Sequence, residues 1–132
     1  MKCSDFTLMF AEDNEAIKKV YEKNFVKDGY KVLLVEHGAR VLAELKEQKV
    51  DLLVTDLEMA GMNTFELFPI FKNDYPQLPV IVVTGHYVNL IEDFKAKGFE
   101  VKAVFIKPFS VRILKEKIRE ILKIQAPLVP PL

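Results

Sequence analysis

The chain has 132 residues, enough for one domain with its own core. Nineteen Lys and Arg cancel nineteen Asp and Glu, and this zero balance argues against a strongly basic nucleic-acid binder. The lone Cys3 excludes a disulfide framework, two histidines make a histidine-rich metal site a poor fit, and runs such as Val80-Ile81-Val82-Val83 fall far short of the roughly 20 apolar residues of a membrane span. The opening Met1-Lys2-Cys3-Ser4-Asp5 leads into no signal-type apolar stretch, so the expectation is a soluble, cytoplasmic domain that engages no membrane.

The first strand is predicted over 7–11. Asn14 then caps a helix whose inner face carries Ile17, Val20, Tyr21 and Phe25, and the helix stops at Gly29. A second strand covers 31–36 and a second helix 40–48. The third strand covers 50–55, and a helix over 64–75 contains Pro69, which removes one backbone bond. Pro79 opens the fourth strand at 80–83, and a helix over 87–97 stops at Gly98. The fifth strand covers 103–106. Ser110 caps the last helix, with Phe109 and Leu114 as a hydrophobic staple and Val111, Leu114, Ile118, Ile121 and Leu122 as its buried stripe. Residues 125–132 have three prolines and no period, and read as a tail or linker stub after a domain at 1–124.

Five strands alternating with five helices imply a parallel sheet with right-handed crossovers. The third and fourth strands are continuously apolar, as expected when helices cover both faces. The predicted fold is therefore a doubly wound α/β sandwich. Such folds place ligands beyond the carboxyl ends of the strands. There the sequence sets Glu12 and Asp13 after the first strand, Asp56 after the third, Thr84 and Gly85 after the fourth, and Lys107 and Pro108 after the fifth. Clustered carboxylates repel one another, and a hard divalent cation relieves that repulsion. Mg²⁺ suits such a site, because it takes one or two carboxylates and keeps positions for water and phosphate oxygens. Asp13 and Asp56 are the preferred direct ligands, with Glu12 on a metal-bound water. An aspartate there can attack a phosphoryl group, while Lys107 and Thr84 bind the phosphoryl oxygens. Each residue alone is an ordinary loop, cap or surface residue; the ordered combination is what carries the reading.

The motifs Phe10-Ala11-Glu12-Asp13-Asn14, Thr55-Asp56-Leu57-Glu58-Met59-Ala60-Gly61-Met62, Val82-Val83-Thr84-Gly85 and Phe105-Ile106-Lys107-Pro108-Phe109 resemble those of response-regulator receiver domains of two-component signalling, over about 5–124. The resemblance implies a flavodoxin-like strand order 2-1-3-4-5. It also implies Mg²⁺-dependent phosphoryl transfer from a phosphohistidine to Asp56, with the Glu58 backbone carbonyl as a further metal ligand and a cis Lys107-Pro108 bond. The implied partners are a sensor histidine kinase or a histidine phosphotransfer protein, and a downstream protein target or fused output domain. Phosphorylation and dephosphorylation are then self-catalysed, without turnover of a metabolite.

Departures from the family pattern are Ala60 for a usual proline, Thr64 for a usual glycine, and Val104 where the family carries an aromatic ring that swings inward with Thr84. The neighbouring Phe105 has the opposite strand parity, so the aromatic half of the switch is expected to be missing or altered. In the family, side chains at the positions of Glu58 and His86 influence aspartyl-phosphate lifetime; His86 also reads as a plain exposed loop residue. The six cations Lys107, Arg112, Lys115, Lys117, Arg119 and Lys123 outnumber Glu116 and Glu120 at the C-terminal end, a face that docks a partner or is simply solvated. The last two helices also offer a homodimer face, and direct DNA contact is not expected. The chain leaves no room for its own output module on this reading. Two alternatives remain open: a degenerate receiver that binds partners without phosphorylation, and a metal-dependent phosphatase using Asp56 with Glu58 as acid.

Overall fold

A computed structural model describes residues 2–86 and 89–124. A short 3₁₀ turn, Cys3–Asp5, precedes β1 (Thr7–Ala11), α1 (Glu15–Lys27), β2 (Lys31–Val35), α2 (Gly38–Glu47), β3 (Leu52–Asp56), α3 (Thr64–Asp74), β4 (Val80–Thr84), α4 (Leu90–Ala96), β5 (Ala103–Ile106) and α5 (Val111–Leu122). The five strands form one parallel sheet in the order β2-β1-β3-β4-β5, a flavodoxin-like topology.

Strand alternation sends neighbouring residues to opposite layers. Leu8, Phe10, Leu52, Val54, Ile81 and Val83 pack with Tyr21 and Phe25 of α1 and Leu114 and Ile118 of α5. Met9, Ala11, Leu53, Val80 and Val82 face the other way, toward Val41, Leu45, Leu67, Phe68, Phe71 and Phe94. Both faces of the central strands are covered, which explains their unbroken apolar runs.

The elements differ from the predicted ones in ways that have local causes. Val20 is not part of the inner stripe of α1 but 41% exposed, and Lys18 is buried instead. Lys18 pairs there with Glu15 at 2.8 Å and with Glu36 of the loop after β2. Helix α2 starts at Gly38, two residues early, because His37 Nδ1 accepts a hydrogen bond from the Ala39 amide and caps it. Helix α3 runs through Pro69. The missing backbone bond and ring clash cost about 3 kcal/mol, whereas each buried side chain of Leu67, Phe68 and Phe71 contributes about 1.5–3 kcal/mol. Ser110 occupies the N-cap position of α5, but its side chain makes no capping hydrogen bond. Of the predicted α5 stripe, Leu114 and Ile118 are buried, while Val111, Ile121 and Leu122 are partly buried against the same core as Phe109. The predicted start of the fourth helix at 87 and the tail at 125–132 lie outside the described residues. No helix among the described residues is long and apolar enough to cross a membrane.

One close approach braces the loop after β3. Gly38 donates its amide to the Ala60 carbonyl at 3.0 Å. A Cβ at Gly38 would lie 1.9 Å from the Gly61 carbonyl oxygen, so only glycine admits this contact. Gly61 itself has φ +72°, in the left-handed region.

Candidate functional site

Parallel strands bring their carboxyl ends to one edge of the sheet. Glu12 follows β1 directly, and its amide continues the ladder to the Val35 carbonyl at 2.9 Å. The Glu12 side chain is 1% exposed and turns back over the chain, where its Oε2 accepts from the amides of Asp13 (3.0 Å) and Asn14 (3.2 Å). Asn14 Oδ1 in turn accepts from the Ile17 amide, so the turn that holds Glu12 is also the cap of α1. Asp56, the last residue of β3, is 3% exposed. The Leu57 amide donates to the Val83 carbonyl at 3.1 Å, which fixes the exit of β3 against β4.

Lys107 reaches into this cleft from the end of β5. Its Nζ donates to Asp56 Oδ2 at 2.5 Å and lies 3.2 Å from Glu12 Oε1. The Lys107 amide donates to the Thr84 carbonyl at 2.8 Å, and the Lys107-Pro108 bond is cis. Thr84, 3% exposed, ends β4. All five side chains singled out at strand ends (Glu12, Asp13, Asp56, Thr84 and Lys107) therefore lie at one edge of the sheet. One ligand atom each from Glu12, Asp13 and Asp56 falls within 4.8 Å of the others, with Asp13 exposed and the other two buried.

The charges in the cleft hold one another in unequal states. Burial, together with repulsion from Asp56, pushes the Glu12 carboxyl above the ordinary carboxylate range. Burial also opposes ionisation of Asp56, but hydrogen bonding from Glu58 and Lys107 outweighs it and holds the Asp56 carboxyl below that range. Burial opposes the charge on Lys107 too, yet the Asp56 and Glu12 carboxylates win and raise its pKa. The result is an ionised Asp56 locked to an ammonium.

The sequence singles out the Glu58 side chain but gives no sign of the bridge it makes to the loop after β4. Its amide donates to Asp56 Oδ1 at 2.8 Å. Its Oε1 accepts from the Thr84 hydroxyl at 2.8 Å and from the Gly85 amide at 2.6 Å. The Thr84 hydroxyl oxygen also accepts from the His86 amide at 3.2 Å. The side chain of His86 is 78% exposed, with Nε2 3.8 Å from Glu58 Oε1, which fits the exposed-loop reading of that residue. Spacing along the chain carries no signal for a bridge between two loops 26 residues apart.

Val104 lies on the layer that contains Phe94 and Leu90, whereas Phe105 lies on the opposite layer with its ring 5.4 Å from that of Phe109. Val104 and Phe105 thus face opposite layers, as strand parity requires.

Known proteins resemble this chain in sequence and in fold. The family model described as response regulator receiver domain matches residues 8–119. The transcriptional regulatory protein GlrR of Escherichia coli (strain K12) is 34% identical over 79 residues, covering 60% of this chain and 18% of that protein. The transcriptional regulatory protein AfsQ1 of Streptomyces coelicolor is 27% identical over 119 residues, 89% of this chain and 51% of that protein. The chain thus spans about half or less of these relatives. The crystal structure of a CheY-like response regulator receiver domain protein from Methanospirillum hungatei JF-1 superposes with a TM-score of 0.80 at 24% identity, covering 89% of this chain and 94% of that one. The chain belongs to the response regulator receiver domain family, the receivers of two-component response regulators.

Proposed function

We propose that Asp56 is a phosphoacceptor, taking a phosphoryl group from a phosphohistidine of a sensor histidine kinase or a histidine phosphotransfer protein. The observation that carries this reading is a buried, ionised Asp56 bound at 2.5 Å to Lys107 and within 4.8 Å of carboxylate oxygens of Glu12 and Asp13. An Asp56 carboxylate oxygen attacks phosphorus, the nitrogen–phosphorus bond breaks, and its electron pair returns to the imidazole. Lys107 and Thr84 bind the phosphoryl oxygens.

The residues fit Mg²⁺. The donor set is all hard oxygen, and the buried Glu12 Oε1 accepts no aligned hydrogen bond among the described residues, which leaves it available toward a cation or a cation-bound water. Asp13, Asp56 and the Glu58 backbone carbonyl are the direct ligands on this reading, with Glu12 beside them. When bound, the cation neutralises charge on the transferred group and on the carboxylates.

On this reading the protein catalyses its own phosphorylation and dephosphorylation in the cytoplasm, and changes its binding to a downstream protein or a fused output domain. The faces of α4 and α5 serve that contact or a homodimer. A receiver acting without phosphorylation draws support from Val104, which cannot supply the inward-moving ring. One experiment separates the two: acetyl phosphate with Mg²⁺ adds a single phosphoryl group by intact mass, and Asp56→Asn abolishes the addition. An unmodified wild-type mass under those conditions selects the phosphorylation-independent module.

A further inference from the structure

The Thr84 hydroxyl and the Gly85 amide are the two donors at the end of β4 that point into the cleft, and neither is free. Both donate to a single oxygen, Glu58 Oε1, at 2.8 and 2.6 Å. Charge-assisted hydrogen bonds of this length are the strong kind. Glu58 also stands two residues from Asp56, and its amide holds Asp56 Oδ1 at 2.8 Å. The side chain of Glu58 thus bridges from the loop after β3 to the loop after β4, with 36% of its own surface exposed to solvent. A carboxylate oxygen on a hydroxyl and an amide has the chemistry of a phosphoryl oxygen on the same pair.

We infer that Glu58 is an internal ligand of the anion subsite formed by Thr84 and Gly85, and that a phosphoryl group on Asp56 must displace it. This rests on the phosphoacceptor reading of Asp56. In the unphosphorylated chain Glu58 keeps Thr84 turned into the cleft and lowers the affinity of that subsite for an incoming anion. Phosphorylation exchanges one set of acceptor oxygens for another on the same donors. Glu58 is then released toward solvent, next to the exposed His86, and becomes part of the surface that a partner reads. The device needs no aromatic ring in β5, which suits a chain with Val104 on that side of the sheet.

The test uses the full 132-residue chain. Glu58→Ala removes the bridge but leaves the Glu58 carbonyl position and all of Asp56, Thr84 and Lys107. In amide NMR spectra of the unphosphorylated protein, the Gly85 proton is expected to move upfield in Glu58→Ala, because it loses a carboxylate acceptor. Beryllofluoride with Mg²⁺, an unreactive phosphoryl mimic, is expected to bind about tenfold more tightly to Glu58→Ala than to wild type, the scale of one charge-assisted hydrogen bond. Glu58→Gln keeps an acceptor without the charge and is expected to fall between the two. An unmoved Gly85 amide in Glu58→Ala overturns the bridge, whatever happens at Asp56. A moved amide with unchanged or weaker beryllofluoride binding overturns the competition. Failure of both proteins to take beryllofluoride, with the Gly85 shift present, overturns the phosphoacceptor reading and the displacement with it.

Discussion

The two halves of the cleft are built differently. On the β1–β3 side, Glu12 and Asp56 are 1% and 3% exposed and follow fully buried strand residues. Phe10, two residues before Glu12, is fully buried, stacked on Tyr21 at 4.4 Å and packed on Phe25 at 4.9 Å. On the β4–β5 side, only Thr84 is buried to that degree; Gly85, His86 and Glu58 line an exposed loop surface. A preformed anionic half faces a half whose donors are already occupied. On the proposed function, the first half governs binding of a cation and the second governs access of the phosphoryl group.

The largest effect on the first half should come from its foundation. Phe10→Ala is expected to destabilise the protein by about 3–5 kcal/mol, because it deletes a ring between α1 and the sheet. Urea unfolding checks this; a loss below about 1 kcal/mol would mean that β1 does not anchor the anionic half. Next in size is the cation. Mg²⁺ at ten times its Kd is expected to stabilise by about 1.4 kcal/mol, raising Tm by about 5 °C. Glu12→Gln is expected to shrink that response, and a melting curve flat across a magnesium titration would remove the proposed site. The smallest effect concerns pH. Burial, with further contributions from Glu12 and Asp56, raises the pKa of Tyr21 above its ordinary value of about 10. The folded state therefore favours the neutral phenol. Its stabilising effect is complete below pH about 10 and is lost as the pH rises past it. Tyr21→Phe should flatten part of the alkaline loss in urea midpoints between pH about 9 and 11. An identical slope in the two proteins would show that burial and the nearby carboxylates do not raise the Tyr21 pKa. Acetyl phosphate labelling of Asp56 and the Glu58 substitutions then test the donor half on its own.

Much of the fold was legible because strand and helix periods are local. Alternation placed β1 and β5 at their observed bounds, and the cap at Asn14 and the stop at Gly29 hold. Where the reading slipped, a contact outside the simple periodic and capping rules had decided the outcome. Val20 and Lys18 exchange places because Glu36, from the loop after β2, offers the ammonium a partner that a helical wheel does not contain. His37 begins α2 through its ring nitrogen, which composition-based capping rules do not anticipate. Pro69 is tolerated because its neighbours are buried.

By itself the amino-acid order determined a doubly wound α/β receiver fold, and with it the convergence of Glu12, Asp13, Asp56, Thr84 and Lys107, since parallel strands put every carboxyl end on one edge. It also determined that Val104 and Phe105 face opposite layers, because the side-chain period of a strand is two. Only the tertiary structure decided what these groups do to one another: that Lys107 binds Asp56 more closely than Glu12, and that Glu58 Oε1 ties Thr84 and Gly85 together. Loop side chains follow no period. Their partners depend on distances of a few ångströms between segments far apart in sequence, which are settled when the sheet closes and the loops pack.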